Sequence, residues 1–100
     1  MTVSTFEMKI LAITFRLYAP WIHSLKEKRM IIQSLITKLQ NRFHVSAAEI
    51  GEQDVHQFIM IGTAAIVPHN AMADRLAAEI TKFIEENTEA EIIETTREIR

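Results

Sequence analysis

The stretch Ser24-Leu25-Lys26-Glu27-Lys28-Arg29 opens a long amphipathic pattern that reaches Phe43 and predicts the first helix of the fold. Ser24 and Glu27 have the spacing of a capping box. In this motif the serine oxygen accepts from the backbone N–H near Glu27, and the glutamate reaches back to the serine N–H. The apolar residues that share one side of the helix at 100° per residue are Leu25, Ile32, Leu35, Ile36, Leu39 and Phe43. We therefore expect a helix from about Leu25 to Arg42 or Phe43 that packs on a sheet.

Strands are predicted on both sides of this helix. From Glu7 to Tyr18 both alternating faces are largely apolar, which is typical of an interior strand. A short second strand is expected around Val45–Ile50, and a third over roughly Val55–Val67, again apolar on both faces. A second helix is expected over about Ala71–Asn87. The last strand, Glu91–Arg100, carries charges that suit a sheet edge.

The order β-α-β-β-α-β predicts an α+β, ferredoxin-like fold, with a four-stranded antiparallel sheet and two helices on one face. The first and third strands would be central, and their uncovered face is apolar. Because an apolar sheet centre rarely stays in water, we expect a homo-oligomer, dimer or higher, through this sheet face. We expect one domain over residues 1–100, with residues 1–6 as a loosely attached extension.

Composition limits the classes of protein. The chain has no cysteine, which excludes a disulfide framework and thiolate zinc sites. No stretch approaches the roughly 18 apolar residues that span a bilayer, and the start lacks the features of a signal peptide, so we expect a cytoplasmic protein without membrane contact. The net charge is −2, but residues 1–50 carry seven Lys/Arg against three acids, and residues 51–100 carry four against ten. This asymmetry indicates an anion-binding face, faces that attract across an oligomer, or separately solvated helices.

The basic start of the first helix is the candidate site. Lys26, Lys28 and Arg29 lie in its first turns, where the helix dipole prefers anions, so they suit an external anion such as a phosphate. Lys28 also shares one edge, over about 21 Å, with Lys38 and Arg42, which could follow a phosphate backbone. The candidate anion- or RNA-binding residues are Arg16, His23, Ser24, Lys26, Lys28, Arg29, Lys38 and Arg42. Two alternatives stay open: the lysine and arginine stems pack over the sheet margin, and Arg16 pairs with an acid on a neighbouring strand.

No catalytic motif is present. Ser24 is better explained as a helix cap than as a nucleophile. The four histidines lack the short spacings that hold metals, and the loop Ala19–His23 lacks the glycines of a phosphate-cradling loop. The aromatic signature of an RNA-recognition motif is absent from the predicted central strands. We therefore expect no metal, no cofactor and no enzymatic activity.

The residues also resemble a known family. The strand ending Phe15-Arg16-Leu17, the run Ser24–Arg29 and the segment 41–49 (Asn-Arg-Phe-His-Val-Ser-Ala-Ala-Glu) are similar to the YlxP-like family of small bacterial proteins, domain-of-unknown-function family 503. The resemblance implies a ferredoxin-like fold. It also implies a ribosome- or RNA-associated role, since genes of this family often lie among translation and ribosome-maturation genes. It supplies no catalytic residues.

Three functional hypotheses follow. The first is a non-enzymatic binding protein that meets RNA or a ribosomal component through the basic helix N-terminus. The second is a sensor or enzyme that binds a small anionic metabolite at the same helix N-terminus. The third is a protein-interaction module that docks through the apolar sheet face.

Overall fold

The computed structural model describes residues 8–100 of the chain. Its elements follow the order β1 (Lys9–Tyr18), α1 (Leu25–Arg42), β2 (Ser46–Gly51), β3 (Phe58–Val67), α2 (Asn70–Asn87) and β4 (Glu91–Ile99). The four antiparallel strands have the order β2-β3-β1-β4, which confirms the ferredoxin-like α+β fold with β1 and β3 in the centre. The predicted N-terminal extension, residues 1–6, and Glu7 lie outside the described residues.

The two helices cover one face of the sheet and form the core with it. Alternate residues of the central strands point into this core because strand side chains alternate between faces. The fully buried side chains include Leu11, Ile13, Phe15 and Leu17 of β1, Ile59 and Ile61 of β3, Leu39 of α1, and Ile80 and Ile84 of α2. Each such side chain contributes roughly 1.5–3 kcal/mol through removal from water.

Among residues 8–100 the opposite side of the sheet carries no helix, and we call it the open face. Its residues follow from the strand register: Ile10, Ala12, Thr14, Arg16 and Tyr18 of β1; Phe58, Met60, Gly62, Ala64 and Ile66 of β3; Ser46, Ala48 and Ile50 of β2; and Glu94, Thr96 and Glu98 of β4. The predicted apolar character of both central strands on this side is therefore present.

The segment 52–57 forms a turn between β2 and β3 that packs against the start of α1. For this reason β3 begins at Phe58, three residues later than the sequence pattern predicts. The Ala19 N–H donates to the Gln57 carbonyl at 2.7 Å, and the Gln57 side-chain amide donates to the Ile22 carbonyl at 2.9 Å. We call this segment the 52–57 turn, and it positions much of the candidate site.

Within residues 8–100, neither helix combines the length and the apolar composition that crossing a membrane requires.

Candidate functional site

The start of α1 is capped as the sequence predicts. Ser24 has an extended backbone, with φ −146° and ψ 155°, and its hydroxyl oxygen accepts from the Glu27 N–H at 3.1 Å. The return contact differs by one residue, since the Glu27 carboxylate accepts from the N–H of His23 at 3.4 Å rather than from Ser24. Both groups therefore satisfy backbone donors at the helix entrance. The Ser24 hydroxyl serves as a cap, which confirms the explanation preferred from sequence.

Lys28 is the least expected residue of the site. Its side chain is 1% exposed, although it lies in the first turns of a surface helix. The ammonium donates to the carbonyls of Glu52 and Val55, the latter at 2.6 Å, and lies 3.6 Å from the Glu49 carboxylate. A buried ammonium requires such partners because the loss of water would otherwise be costly. The expectation of an external anion at Lys28 is corrected: this cation binds the 52–57 turn.

Arg16 lies on the open face and is also engaged within the chain. Its Nη2 lies 2.7 Å from Glu52 Oε1, and its Nε donates to Oε2 at 3.1 Å. The guanidinium also lies 4.4 Å from the centre of the Phe58 ring, a cation–π distance. The alternative left open by the sequence, an ion pair, is therefore observed, but the acid belongs to the 52–57 turn rather than to a neighbouring strand.

Glu52 links these two cations, and sequence analysis did not identify it. Its carboxylate binds Arg16, while its carbonyl accepts from Lys28. Hydrogen bonds from Arg16 hold the pKa of the Glu52 carboxyl below its usual range, and the positive charges of Arg16 and Lys28 add to this shift. Glu52 has φ 56°, a left-handed conformation that costs a non-glycine residue about 1 kcal/mol or more. Its partners Arg16 and Lys28 lie 36 and 24 positions away along the chain, so no local pattern indicates them.

The remaining candidate side chains stay exposed at the entrance or on the outer side of α1. They are His23, Lys26, Arg29, Lys38 and Arg42. None of the four Lys/Arg side chains lies within ion-pair distance of an acid among residues 8–100. Outside α1, every Lys and Arg of the same residues except Lys9 is in an ion pair: Arg16–Glu52, Arg75–Glu79, Lys82–Glu86, Arg97–Asp74 and Arg100–Glu98. The unpaired positive charge is thus concentrated on α1.

The structure does not bring the eight candidate residues into one site. Arg16 is on the open face, Lys28 is beneath the helix, and the exposed cations are on the solvent side. The predicted edge of Lys28, Lys38 and Arg42 is reduced to its last two members. Arg42 places its guanidinium 5.1 Å from the Phe43 ring, near the C-terminus of the helix.

The open face forms a second candidate surface. Tyr18 and Phe58 have their ring centres 5.2 Å apart at one end, and the exposed Ile10 and Ile66 lie at the other. Between these ends lies a shallow depression of about 310 Å³. Its lining includes the small residues Ala12, Thr14, Ala48, Gly62 and Ala64. This surface is suited to contact with another apolar surface rather than to enclosing a small molecule.

The part of the chain that the structure describes contains no group of three His, Asp or Glu side chains that could hold a metal ion. His69 instead caps α2, where its Nδ1 accepts from the Met72 N–H at 3.2 Å. This second cap was not predicted, since histidine is not among the preferred N-cap residues.

The fold and these two surfaces define a small ferredoxin-like α+β protein. Comparison with known families matches residues 10–97 to "Protein of unknown function (DUF503)", and the chain belongs to this family. It is also similar to the uncharacterized protein YlxP of Bacillus subtilis (strain 168), with 37% identity over 68 residues, which cover 68% of this chain and 74% of that protein. Both comparisons agree with the resemblance drawn from the Ser24–Arg29 run.

Proposed function

We propose that this protein is a non-enzymatic binding protein that holds the phosphate groups of RNA on the outer side of α1. The observation that carries the proposal is the set of exposed cations Lys26, Arg29, Lys38 and Arg42, which have no acidic partner among the described residues. Outside α1, every described lysine and arginine except Lys9 is held in an ion pair within the molecule. The charge of α1 is left available to an external anion.

The neighbouring residues on α1 support this proposal. From Lys28 to Arg42 the helix contains no carboxylate, and its exposed polar residues are Gln33, Ser34, Thr37, Gln40 and Asn41. Such amides and hydroxyls donate hydrogen bonds to phosphate and sugar oxygens. Lys26 and Arg42 are 16 residues apart, which corresponds to about 24 Å along a helix. An elongated polyanion fits this span better than a compact metabolite does.

The geometry of the helix entrance favours RNA over the small-metabolite hypothesis. A compact anion at the N-terminus would use the free N–H groups together with Ser24 and Lys28. Here the side chains of Ser24 and Glu27 already accept hydrogen bonds from the backbone N–H groups of Glu27 and His23. The Lys28 ammonium is buried against the 52–57 turn. The exposed cations are separated along the helix, with Lys26 and Arg29 at one end and Lys38 and Arg42 at the other.

The test is the salt dependence of binding to a labelled single-stranded RNA of mixed sequence, followed by fluorescence anisotropy. The double change Lys26→Ser with Arg29→Ser removes two exposed cations, and Lys38→Ser with Arg42→Ser removes the other two. Each double variant should reduce the magnitude of the slope of log affinity against log salt by about 1.4, since one phosphate contact on a single strand contributes about 0.7. Lys28 is kept because it is needed for the fold.

The matched control is the double change Arg75→Ser with Lys82→Ser on α2, whose cations are paired with Glu79 and Glu86. It removes the same charge from the protein and should leave the slope unchanged. If the α1 and α2 variants reduced the salt slope of RNA binding equally, binding would depend only on the net charge of the protein. That result, or affinity that does not change with salt, would contradict a phosphate site on α1.

A second candidate function is protein association through the open face. It is favoured by the exposed apolar side chains Ile10, Tyr18, Ile50 and Ile66, and it does not depend on RNA.

A further inference from the structure

The open face is too apolar and too large to be an ordinary solvated sheet surface. Ile66 is 70% exposed on it, and Tyr18, Phe58 and Met60 form a continuous cluster at the other end with Arg16. Both helices lie on the opposite side, so nothing within residues 8–100 covers these side chains. Contiguous exposed apolar surface of this kind marks an interaction site.

The area of the face suits a stable protein dimer. The strands β1, β2, β3 and β4 contain 10, 6, 10 and 9 residues, and with a rise of about 3.3 Å per residue and a spacing of about 4.8 Å they cover roughly 550 Å². Two such faces in contact would bury on the order of 1,100 Å², which exceeds the roughly 1,000 Å² expected of a specific interface. One further copy of the chain is therefore enough to cover the whole surface.

The charges at the margins of the face exclude a polyanion and favour a protein. The β4 margin carries Glu94 and the ion pair of Glu98 with Arg100, while the β2 margin carries the uncharged Ser46, Ala48 and Ile50. Phosphate groups or an anionic membrane would need free cations on this face. Arg16 and Arg100 do not supply them, because Glu52 and Glu98 already bind their guanidinium groups.

The same charges distinguish two ways of pairing the face with itself. A two-fold axis across the strands would place β4 over β4, so that Glu94 and Glu98 of both copies lie together with only Arg100 of each copy on this margin to offset them. Like charges placed opposite one another across an interface are unfavourable. A two-fold axis parallel to the strands places β4 over β2 instead, and the carboxylates then oppose an uncharged margin.

The strand register shows what would meet in this second arrangement. Glu98, Ala12, Ala64 and Ser46 lie at one level across the sheet, so Glu98 would lie over the partner's Ser46, whose hydroxyl can donate to a carboxylate. Tyr18 and Phe58 also share a level, so Tyr18 would lie over the partner's Phe58. Aromatic residues at such positions commonly dominate interface energies.

We propose that the open face is an interface with a second copy of this chain, related by a two-fold axis parallel to the strands, so that β4 of each copy covers β2 of the other. The helices of both copies then face outward. The cations of α1 stay accessible on both sides of the dimer.

The first test is the mass of the full chain in solution at micromolar concentration, measured by light scattering after size exclusion. The wild-type protein should be a dimer. Ile66→Asp on the open face should raise the dissociation constant at least about tenfold, equivalent to about 1.4 kcal/mol. Met30→Asp on the outer side of α1 is the matched control, because Met30 is 67% exposed and Ile66 is 70% exposed. A monomeric wild-type protein, or equal effects of the two variants, would overturn the proposal.

The second test distinguishes the two arrangements and uses the absence of natural cysteine. Ala48→Cys on β2 and Thr96→Cys on β4 lie at the same level of the open face. An equal mixture of the two variants should form a mixed disulfide under mild oxidation, while each variant alone should not, since like positions would be about 14 Å apart laterally. Disulfide formation by Thr96→Cys alone would indicate β4 over β4 and overturn the proposed axis. RNA binding by α1 is measured separately, so either proposal can fail without the other.

Discussion

The two helices pack on the same face of one sheet and each has 18 residues, yet their charges are arranged in opposite ways. α2 pairs its own cations along its outer side, as Arg75–Glu79 and Lys82–Glu86, and buries only apolar residues, Ala73, Ala77, Ile80 and Ile84. α1 buries Lys28 in the molecule and leaves the rest of its cations without a described partner. The comparison indicates that both cations of α2 are paired within the protein, whereas the cations of α1 other than Lys28 have no acidic partner among the described residues.

Because of this difference, a lysine contributes differently to stability in each helix. Lys28 and Lys82 have the same chemistry, but one is enclosed by two carbonyls and a carboxylate and the other is 80% exposed. A hydrogen bond to a charged group contributes more when it is buried than when water competes with it. Substitutions at the two sites should therefore differ sharply in their effect on stability.

The largest effect is expected at Lys28. Lys28→Met keeps the length of the stem but removes the ammonium, which leaves the carbonyls of Glu52 and Val55 without this donor. The free energy of unfolding should fall by about 3 kcal/mol. Lys82→Met, the matched change on α2, should alter it by less than about 0.5 kcal/mol. Urea unfolding of both variants measures the difference, and similar losses would show that the burial of Lys28 has no energetic importance.

The helix caps come next. Ser24→Ala removes the acceptor of the Glu27 N–H and should cost about 1 kcal/mol. His69→Ser should instead stabilise the protein, because serine is a better N-cap than the histidine that now accepts from Met72. Denaturant midpoints at fixed protein concentration decide both. If Ser24→Ala left stability unchanged but weakened RNA binding, its hydroxyl would be a ligand group rather than a cap.

The ion pair of Arg16 with Glu52 predicts a smaller, pH-dependent effect. Because the pKa of Glu52 is lowered in the folded protein, its stabilising contribution is fully present above the pKa of an unfolded glutamate. It is lost as the pH falls through the lower folded pKa, a window below about pH 4.3. Glu52→Gln should remove this part of the acid dependence, and Arg16→Met should remove the same part. Thermal melts across the acid range test this, and a Glu52→Gln variant with the full wild-type dependence would contradict it.

The smallest effect concerns the exposed pairs of α2. Glu86→Gln weakens the contact with Lys82 and should cost about 0.3 kcal/mol, as is typical of such pairs four residues apart. Lys38→Ser on α1 breaks no described ion pair. Its effect on the free energy of unfolding should therefore reflect only the lower helix propensity of serine. Urea unfolding at low and high salt distinguishes the two substitutions. High ionic strength should remove the stability loss of Glu86→Gln but not that of Lys38→Ser.

Residues adjacent in sequence determined much of this protein. Apolar periodicity predicted the six elements and their order, because periods of 2 and 3.6 residues follow from local backbone geometry. The Ser24 cap was also predictable, since its hydrogen-bond partner lies three residues away. The apolar open face followed from the same alternation once the helices were assigned to one side.

The tertiary structure decided the chemistry of the candidate site. On a helical wheel Lys28 flanks the apolar stripe, and no local rule distinguishes a cation that reaches water from one that reaches a carbonyl. The carbonyls that bind it belong to residues 24 and 27 positions further along the chain, and Arg16 meets Glu52 across 36 positions. These groups come together only when the 52–57 turn packs on the start of α1. The sequence by itself therefore determined the fold and the positions of the charges, whereas long-range packing decided which charges are enclosed and which remain available for binding.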